Sequence, residues 1–303
     1  MTPAGAWRRF WFQRGTTLPL EICRILLGSA LLLSYGGLTR SLLDLYGDGG
    51  LVPRELMKLD PLFPWKQSVF YYFSEPAHWF FFHGLFLFSC GALAVGLGTR
   101  WAKWLVLLGH LSYLKRNPLT AYGVDPLVTG LLFILALAPV GRALSLDRWL
   151  SSKRGRSLPE ESSWATACTR LMQIQMAAVY FFSGLAKLRG PEWWHGDAVW
   201  IILHGFEFSN LSLLTWLAHH YWLINLLTYG TLALEISYPF FIWKRSTRPF
   251  WLAWAVALHL GIGLTLRLYF FSAVAIAGHL AFLDPSWLAG LRRRDSLQLP
   301  EGR

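Results

Sequence analysis

The chain has 303 residues; 54% are hydrophobic, 16% aromatic and only 15% charged, and the formal net charge is +11. A soluble domain usually carries about a quarter charged residues, and no stretch here is long and polar enough to fold as a soluble domain of its own. The basic balance therefore reads as the positive-inside bias of a membrane protein and not as a nucleic-acid surface.

In chain order, Arg8, Arg9 and Arg14 precede an apolar run from about Leu18 to Leu38. The run exceeds a signal-peptide core and no A-x-A-like site follows, so it is expected to be a retained first span. Further spans are expected near 77–98, 101–114, 126–141, 165–188, 222–243, 249–267 and 268–285. The expected fold is all-α: a polytopic helical membrane protein of about eight transmembrane helices, one domain over residues 1–303, with the lipid bilayer as its partner. Tryptophans at the ends of apolar runs (Trp101/Trp104, Trp193/Trp194, Trp216/Trp222) suit the headgroup level. Segment 197–220 is apolar but interrupted by Glu207, Asn210 and histidines, and is expected to lie along the interface or re-enter.

Residues 39–76 are rich in turn formers (Tyr46-Gly47-Asp48-Gly49-Gly50, Asp60-Pro61, Phe63-Pro64) and are expected to form an ordered outer loop. Residues 151–163 read as a flexible inner loop. With the N-terminus inside, Arg100, Lys103, the basic residues from Arg142 to Arg156, Lys244, Arg245, Arg248 and Arg292–Arg294 all fall on the inner side. Both termini are then cytoplasmic, and the outer side is balanced in charge. Cys23, Cys90 and Cys168 lie in or beside apolar segments without C-x-x-C spacing, so neither a disulfide framework nor a metal site is expected.

A charged group at membrane depth costs about 2.5–3.5 kcal/mol on insertion scales, which makes each one a functional candidate. The candidates are Glu21, Arg24, His110, Arg170, Lys187, Glu235, His259, Arg267 and His279. Glu21 and Arg24, three apart, share a helix face and can pair. Arg170 lies near a span end, where it can snorkel. Glu235 has no charged neighbour within four residues; either it carries its proton or a cation from another span meets it. His259 and His279 need only hydrogen bonds if they are neutral core histidines.

Lys187 closes the run Val179-Tyr180-Phe181-Phe182-Ser183-Gly184-Leu185-Ala186-Lys187-Leu188. Snorkelling is the simple reading. Against it, Ser183 and Gly184 allow another helix or a ligand to approach closely, and Tyr180 lies two turns away on the same face. Glu192-Trp193-Trp194-His195-Gly196-Asp197 follows at once and is expected to place acids, a histidine and aromatics around the ammonium. A lysine shielded from water in such a pocket can act as a base.

Val-Tyr-Phe-x-x-Gly-x-x-Lys-Leu over 179–188, then Trp-x-x-Gly at 193–196, resembles the HTTM family, whose best-known member is the vitamin-K-dependent γ-glutamyl carboxylase. Other segments follow the bacterial pattern of that family: Arg24-x-x-x-Gly28, Tyr46 to Pro53, Arg116-Asn117, Tyr122 to Asp125, Ser145-Leu146-Asp147, Glu235 and His259-Leu260-Gly261. The resemblance covers nearly the whole chain and implies a bacterial inner membrane location. In the carboxylase the lysine matched by Lys187 is taken as the base toward reduced vitamin K. The resemblance therefore implies that Lys187 is catalytic, that Tyr180, Gly184, Trp193, Arg24, Asn117, Glu235 and His259 line the substrate site, and that a reduced quinone is used. Asn117 is followed by Pro118, where the carboxylase has histidine. The carboxylase also has a lumenal region that holds its peptide; here peptide capture is expected to fall to a partner protein or to the 39–76 loop.

Three readings follow. The first is a carboxylase-like membrane enzyme acting on a quinol-like substrate at the outer face and modifying a peptide or small molecule. The second is a non-enzymatic factor for maturation, export or immunity of a small secreted peptide. The third is a proton-coupled transporter using Glu235 and His259, without support from internal repeats.

Overall fold

The computed structural model describes residues 2–59, 68–205 and 211–284. The Asp60-Pro61 and Phe63-Pro64 turns, Glu207, Asn210 and the Arg292–Arg294 cluster lie outside the described residues. Among those described, the chain is helical apart from a two-residue antiparallel pairing of β1 (Gly15–Thr16) with β2 (Glu161–Ser162). The all-α expectation holds.

The longer helices are α2 (Leu18–Gly37), α5 (Pro76–Val95), α6 (Thr99–Arg116), α7 (Asp125–Leu137), α9 (Ser163–Lys187), α13 (Tyr221–Phe241), α14 (Arg248–Leu266) and α15 (Tyr269–His279). Short helices fill the connections: α1 (Pro3–Phe12), α3 (Leu42–Tyr46), α4 (Arg54–Lys58), α8 (Leu146–Lys153), α10 (Pro191–His195), α11 (Ala198–His204) and α12 (Leu211–Ala218). Prolines open α2, α5, α7, α10 and α14, where a missing N–H costs no helical bond.

A helix therefore occupies each of the eight segments expected to span. Three stretches, Leu18–Tyr46, Pro76–Val95 and Arg248–Leu266, are long and apolar enough to cross a bilayer on their own, and α7 and Tyr269–Phe282 are apolar but shorter. Helices α6, α9 and α13 are long, but polar side chains such as Lys103, Gln173 and Glu235 interrupt them. Phe88 on α5, Phe182 on α9 and Leu264 on α14 are well over half exposed. Apolar surface of this kind belongs against lipid. Among the described residues, the 197–220 segment holds α11 and α12, each too short to cross.

The chain forms two compact units that divide within α9, residues 1–171 and 172–303. In the first, α2 packs along α5, α5 along α6 and α6 along α7. Gly28 makes the α2–α5 contact close: a Cβ there would lie 2.8 Å from the Ala94 backbone nitrogen. One turn earlier on the same face, the buried Arg24 guanidinium donates to Glu21 at 2.8 Å, to the carbonyls of Ala94 and Leu144 at 2.9 Å, and to Leu93 O. Glu21 in turn accepts from the backbone N–H groups of Arg142 and Ala143. The expected Glu21–Arg24 pair thus forms, and it satisfies backbone carbonyls at the end of α5 and backbone groups of residues 142–144 in the connection between α7 and α8.

In the same unit, Arg116 and Asn117 hold residues 45–52 of the expected outer loop. Buried Arg116 donates to Gly47 O at 2.7 Å and Val52 O at 2.9 Å, and Asn117 donates to Leu45 O at 2.6 Å. Asp147 caps the start of α6, accepting from Gly98 N, Thr99 N and the Thr99 hydroxyl. In the second unit α13 packs on α14, α14 on α15, and α11 on α13.

Candidate active site

The site builds from spacing on single helices. Tyr180, Ser183, Gly184 and Lys187 stand at i, i+3, i+4 and i+7 on α9, so they share one face. Glu235 and Tyr238 stand three apart on α13. Gly184 lets these faces meet: a Cβ there would sit 2.7 Å from Ile236 Cδ1 and 3.2 Å from Glu235 Cβ. Pro239 has no N–H to offer the Glu235 carbonyl four residues earlier, so α13 lacks that bond of its ladder beside the acid while running on unbroken to Phe241.

Across this contact Lys187 Nζ lies 2.8 Å from both Glu235 carboxylate oxygens and donates to Ser183 Oγ at 2.7 Å. The lysine side chain is 23% exposed and the glutamate 11%. The ring of buried Trp193 lies over the ammonium, 5.2 Å away, a cation–π distance. Trp193 is brought there by α10, which α13 ties down: Asn225 donates to Gly196 O and Tyr229 to Trp194 O. The cation that meets Glu235 is thus Lys187, which turns to a partner instead of snorkelling.

The acid beside the ammonium was expected from Glu192 or Asp197. Instead it comes from α13, and Asp197 accepts a hydrogen bond from Tyr221. His195 is exposed. The physical reason is the tight turn at Gly196 (φ +84°), which carries the chain past Trp193 into α11.

Further along the same faces lies a second polar layer. Tyr180 Oη is 2.8 Å from His259 Nε2 on α14 and 2.8 Å from His279 Nε2 on α15. Tyr238 Oη is 2.7 Å from His279 Nδ1. The two tyrosine rings pack with centroids 4.3 Å apart. All four residues are buried.

Of the residues singled out in the sequence, the structure brings together Lys187, Glu235, Gly184, Trp193, Tyr180 and His259. Arg24 and Asn117 make their contacts in the first unit, where their polar atoms serve backbone carbonyls. His279, read as a core histidine, bonds both tyrosines of the polar layer; Tyr238 was missed, and Ser183 was read only as a small residue and not as a hydrogen-bond partner of Lys187. The spacing of Tyr238 three residues after Glu235 was the available signal. Among the described residues no cluster of three or more His, Cys, Asp or Glu could hold a metal ion, and the three cysteines are free and buried.

The HTTM domain model matches residues 18–287. The chain belongs to the HTTM domain family. Comparison with curated proteins and with solved structures gave no match. The HTTM domain is associated with membrane carboxylase-like proteins, and its apolar helices place this protein in a membrane. Several HTTM-pattern residues now have structural reasons. Arg24 and Gly28 bind α2 to α5, Arg116-Asn117 organises the Tyr46–Pro53 loop, and Ser145 and Asp147 cap α8 and α6.

Proposed function

We propose that this HTTM protein is a membrane enzyme of the carboxylase-like kind, in which Lys187 and Glu235 together accept a proton from a quinol-like, lipid-soluble substrate. The observation that carries the reading is the half-sheltered Lys187–Glu235 pair, one ammonium shared between two carboxylate oxygens and Ser183.

The pair can hold its proton on nitrogen, as ammonium and carboxylate, or on oxygen, as amine and carboxylic acid. In low dielectric the neutral form avoids the desolvation of two charges, which makes the amine accessible without loss of a proton to water. A proton arriving at Nζ of that amine leaves Lys187 charged and Glu235 protonated, so the pair takes up one proton in all. Trp193 covers the ammonium, and Ser183 fixes its direction. A reduced quinone, when bound, supplies acidic hydroxyl protons and reducing equivalents. Trp193 and His259 are the residues that would hold it, an aromatic face and a ring nitrogen that fit an aromatic ring carrying oxygens.

Charge distribution supports eight crossings with both termini in the cytoplasm of a bacterial inner membrane, and with Lys187 at the outer end of α9. The molecule modified there, a peptide or a small molecule, would be presented at the outer face.

The test uses purified protein in lipid nanodiscs with reduced 2-methyl-1,4-naphthoquinone. Wild type should accelerate its aerobic oxidation. Lys187→Ala and Lys187→Arg should both lose that acceleration, since arginine keeps the charge but does not act as a base near neutral pH. Full activity in Lys187→Arg would overturn the role of Lys187 as base, and no acceleration by wild type would move the reading to a binding factor for a secreted peptide.

A further inference from the structure

The polar layer below the Lys187–Glu235 pair holds three hydrogen bonds among two phenols and two imidazoles, and its proton arrangement can be deduced. Tyr238 and His279 share one contact, His279 and Tyr180 the second, Tyr180 and His259 the third. His259 Nδ1 is buried without a partner, on a side chain 5% exposed.

With each histidine neutral, four tautomer combinations exist. If both carry the proton on Nδ1, the single Tyr180 hydrogen must serve two bare Nε2 atoms, and one contact sets lone pair against lone pair. If both carry it on Nε2, two N–H groups point at the Tyr180 oxygen and the Tyr180 hydrogen has no acceptor. If His279 carries it on Nδ1 and His259 on Nε2, the Tyr238 hydrogen is stranded. Each of the last two also leaves His259 Nδ1 as a bare acceptor. In the remaining arrangement Tyr238 donates to His279 Nδ1, His279 Nε2–H to Tyr180, and Tyr180 to His259 Nε2. Every hydrogen is then used except one, the His259 Nδ1–H. Burial of polar groups selects the arrangement with fewest stranded.

We infer that His259 Nδ1–H is a ligand-binding donor, held in that tautomer by the Tyr238–His279–Tyr180 chain, and that the ligand presents a hydrogen-bond-accepting oxygen to it. The donor stands beside the Phe271 ring, 5.4 Å between centroids. A carbonyl or phenolic oxygen on a flat ring matches a donor with an aromatic neighbour. The inference rests on the quinol reading for the kind of ligand, but not for the donor itself. A buried N–H left without an acceptor carries its full desolvation penalty, which a ligand oxygen relieves. Tyr238, His279 and Tyr180 are accordingly positioning residues that act through His259.

The experiment is 15N NMR of the full chain labelled at histidine nitrogens in lipid nanodiscs, with His259→Gln used to assign the signal. His259 should show a protonated Nδ1 and a bare Nε2, and 2-methyl-1,4-naphthoquinone should shift the Nδ1 resonance. Tyr238→Phe should mix the two tautomers; Tyr180→Phe serves the same purpose if the first variant does not fold. A protonated Nε2 in wild type overturns the inference. So does a Nδ1–H signal that saturating naphthoquinone leaves unmoved while Lys187-dependent oxidation is intact. A ligand-induced shift at His259 alongside wild-type oxidation by Lys187→Ala supports the donor and sinks only the role given to Lys187.

Discussion

Lys187 Nζ and the Glu235 carboxylate meet at 2.8 Å across a helix contact at which Gly184 faces Ile236 and the Glu235 Cβ. The two residues are 48 apart in sequence, and the pair joins the C-terminal end of α9 to α13. Its consequences can be measured apart from any activity.

Removing one partner strands the other. Truncation of one member of a buried ion pair costs about 3–5 kcal/mol, and because Lys187 is partly exposed the lower end applies. Glu235→Ala should lower the midpoint of thermal unfolding clearly, whereas Lys187→Met with Glu235→Leu should recover much of the loss. A double-mutant cycle in detergent checks this, and additive single effects would show that the pair contributes no coupling.

Gly184→Leu should separate α9 from α13. Its side chain has Ile236 and the Glu235 Cβ in its path, and overpacking of this kind costs about 1–3 kcal/mol. Activity should fall as in Lys187→Ala, because the pair is pulled apart. Gly184→Ala should be mild, since the end of the Ile236 side chain can move.

Gly28→Val tests the other unit. Its side chain would press on the Ala94 backbone and the Cys90 carbonyl, which cannot swing away. We expect lower thermal stability than for a valine placed at the exposed Gly37 position, where a Cβ meets nothing. Equal stability of the two would show that the α2–α5 approach is not tight.

Arg116→Lys should loosen the loop while leaving charge in place. A lysine offers one ammonium where Arg116 serves both Gly47 and Val52 carbonyls. Hydrogen exchange over residues 43–53 should rise several-fold, with α9 and α13 unchanged.

Asp147→Ala removes three hydrogen bonds at the start of α6. Loss of a capping acceptor costs about 0.5–2 kcal/mol, so unfolding should come earlier, with faster exchange at Gly98 and Thr99.

Much of this was legible in the sequence because bilayer physics acts on composition and local order. Apolar runs bounded by tryptophan and proline mark helices wherever lipid replaces water, and helices stand in all the expected places. Spacing alone put Tyr180, Gly184 and Lys187 on one face and paired Glu21 with Arg24. The order of short motifs was enough to indicate the family. The tertiary structure decided what no local pattern encodes: which partner each buried polar group finds. It gave Lys187 an acid from α13 instead of the nearby Glu192 or Asp197, and it turned Arg24 and Asn117 toward backbone carbonyls in the first unit. It also drew His279 and Tyr238 into a chain ending at His259. A buried charge or N–H must be satisfied somewhere, and only the packing of helices distant in sequence fixes where.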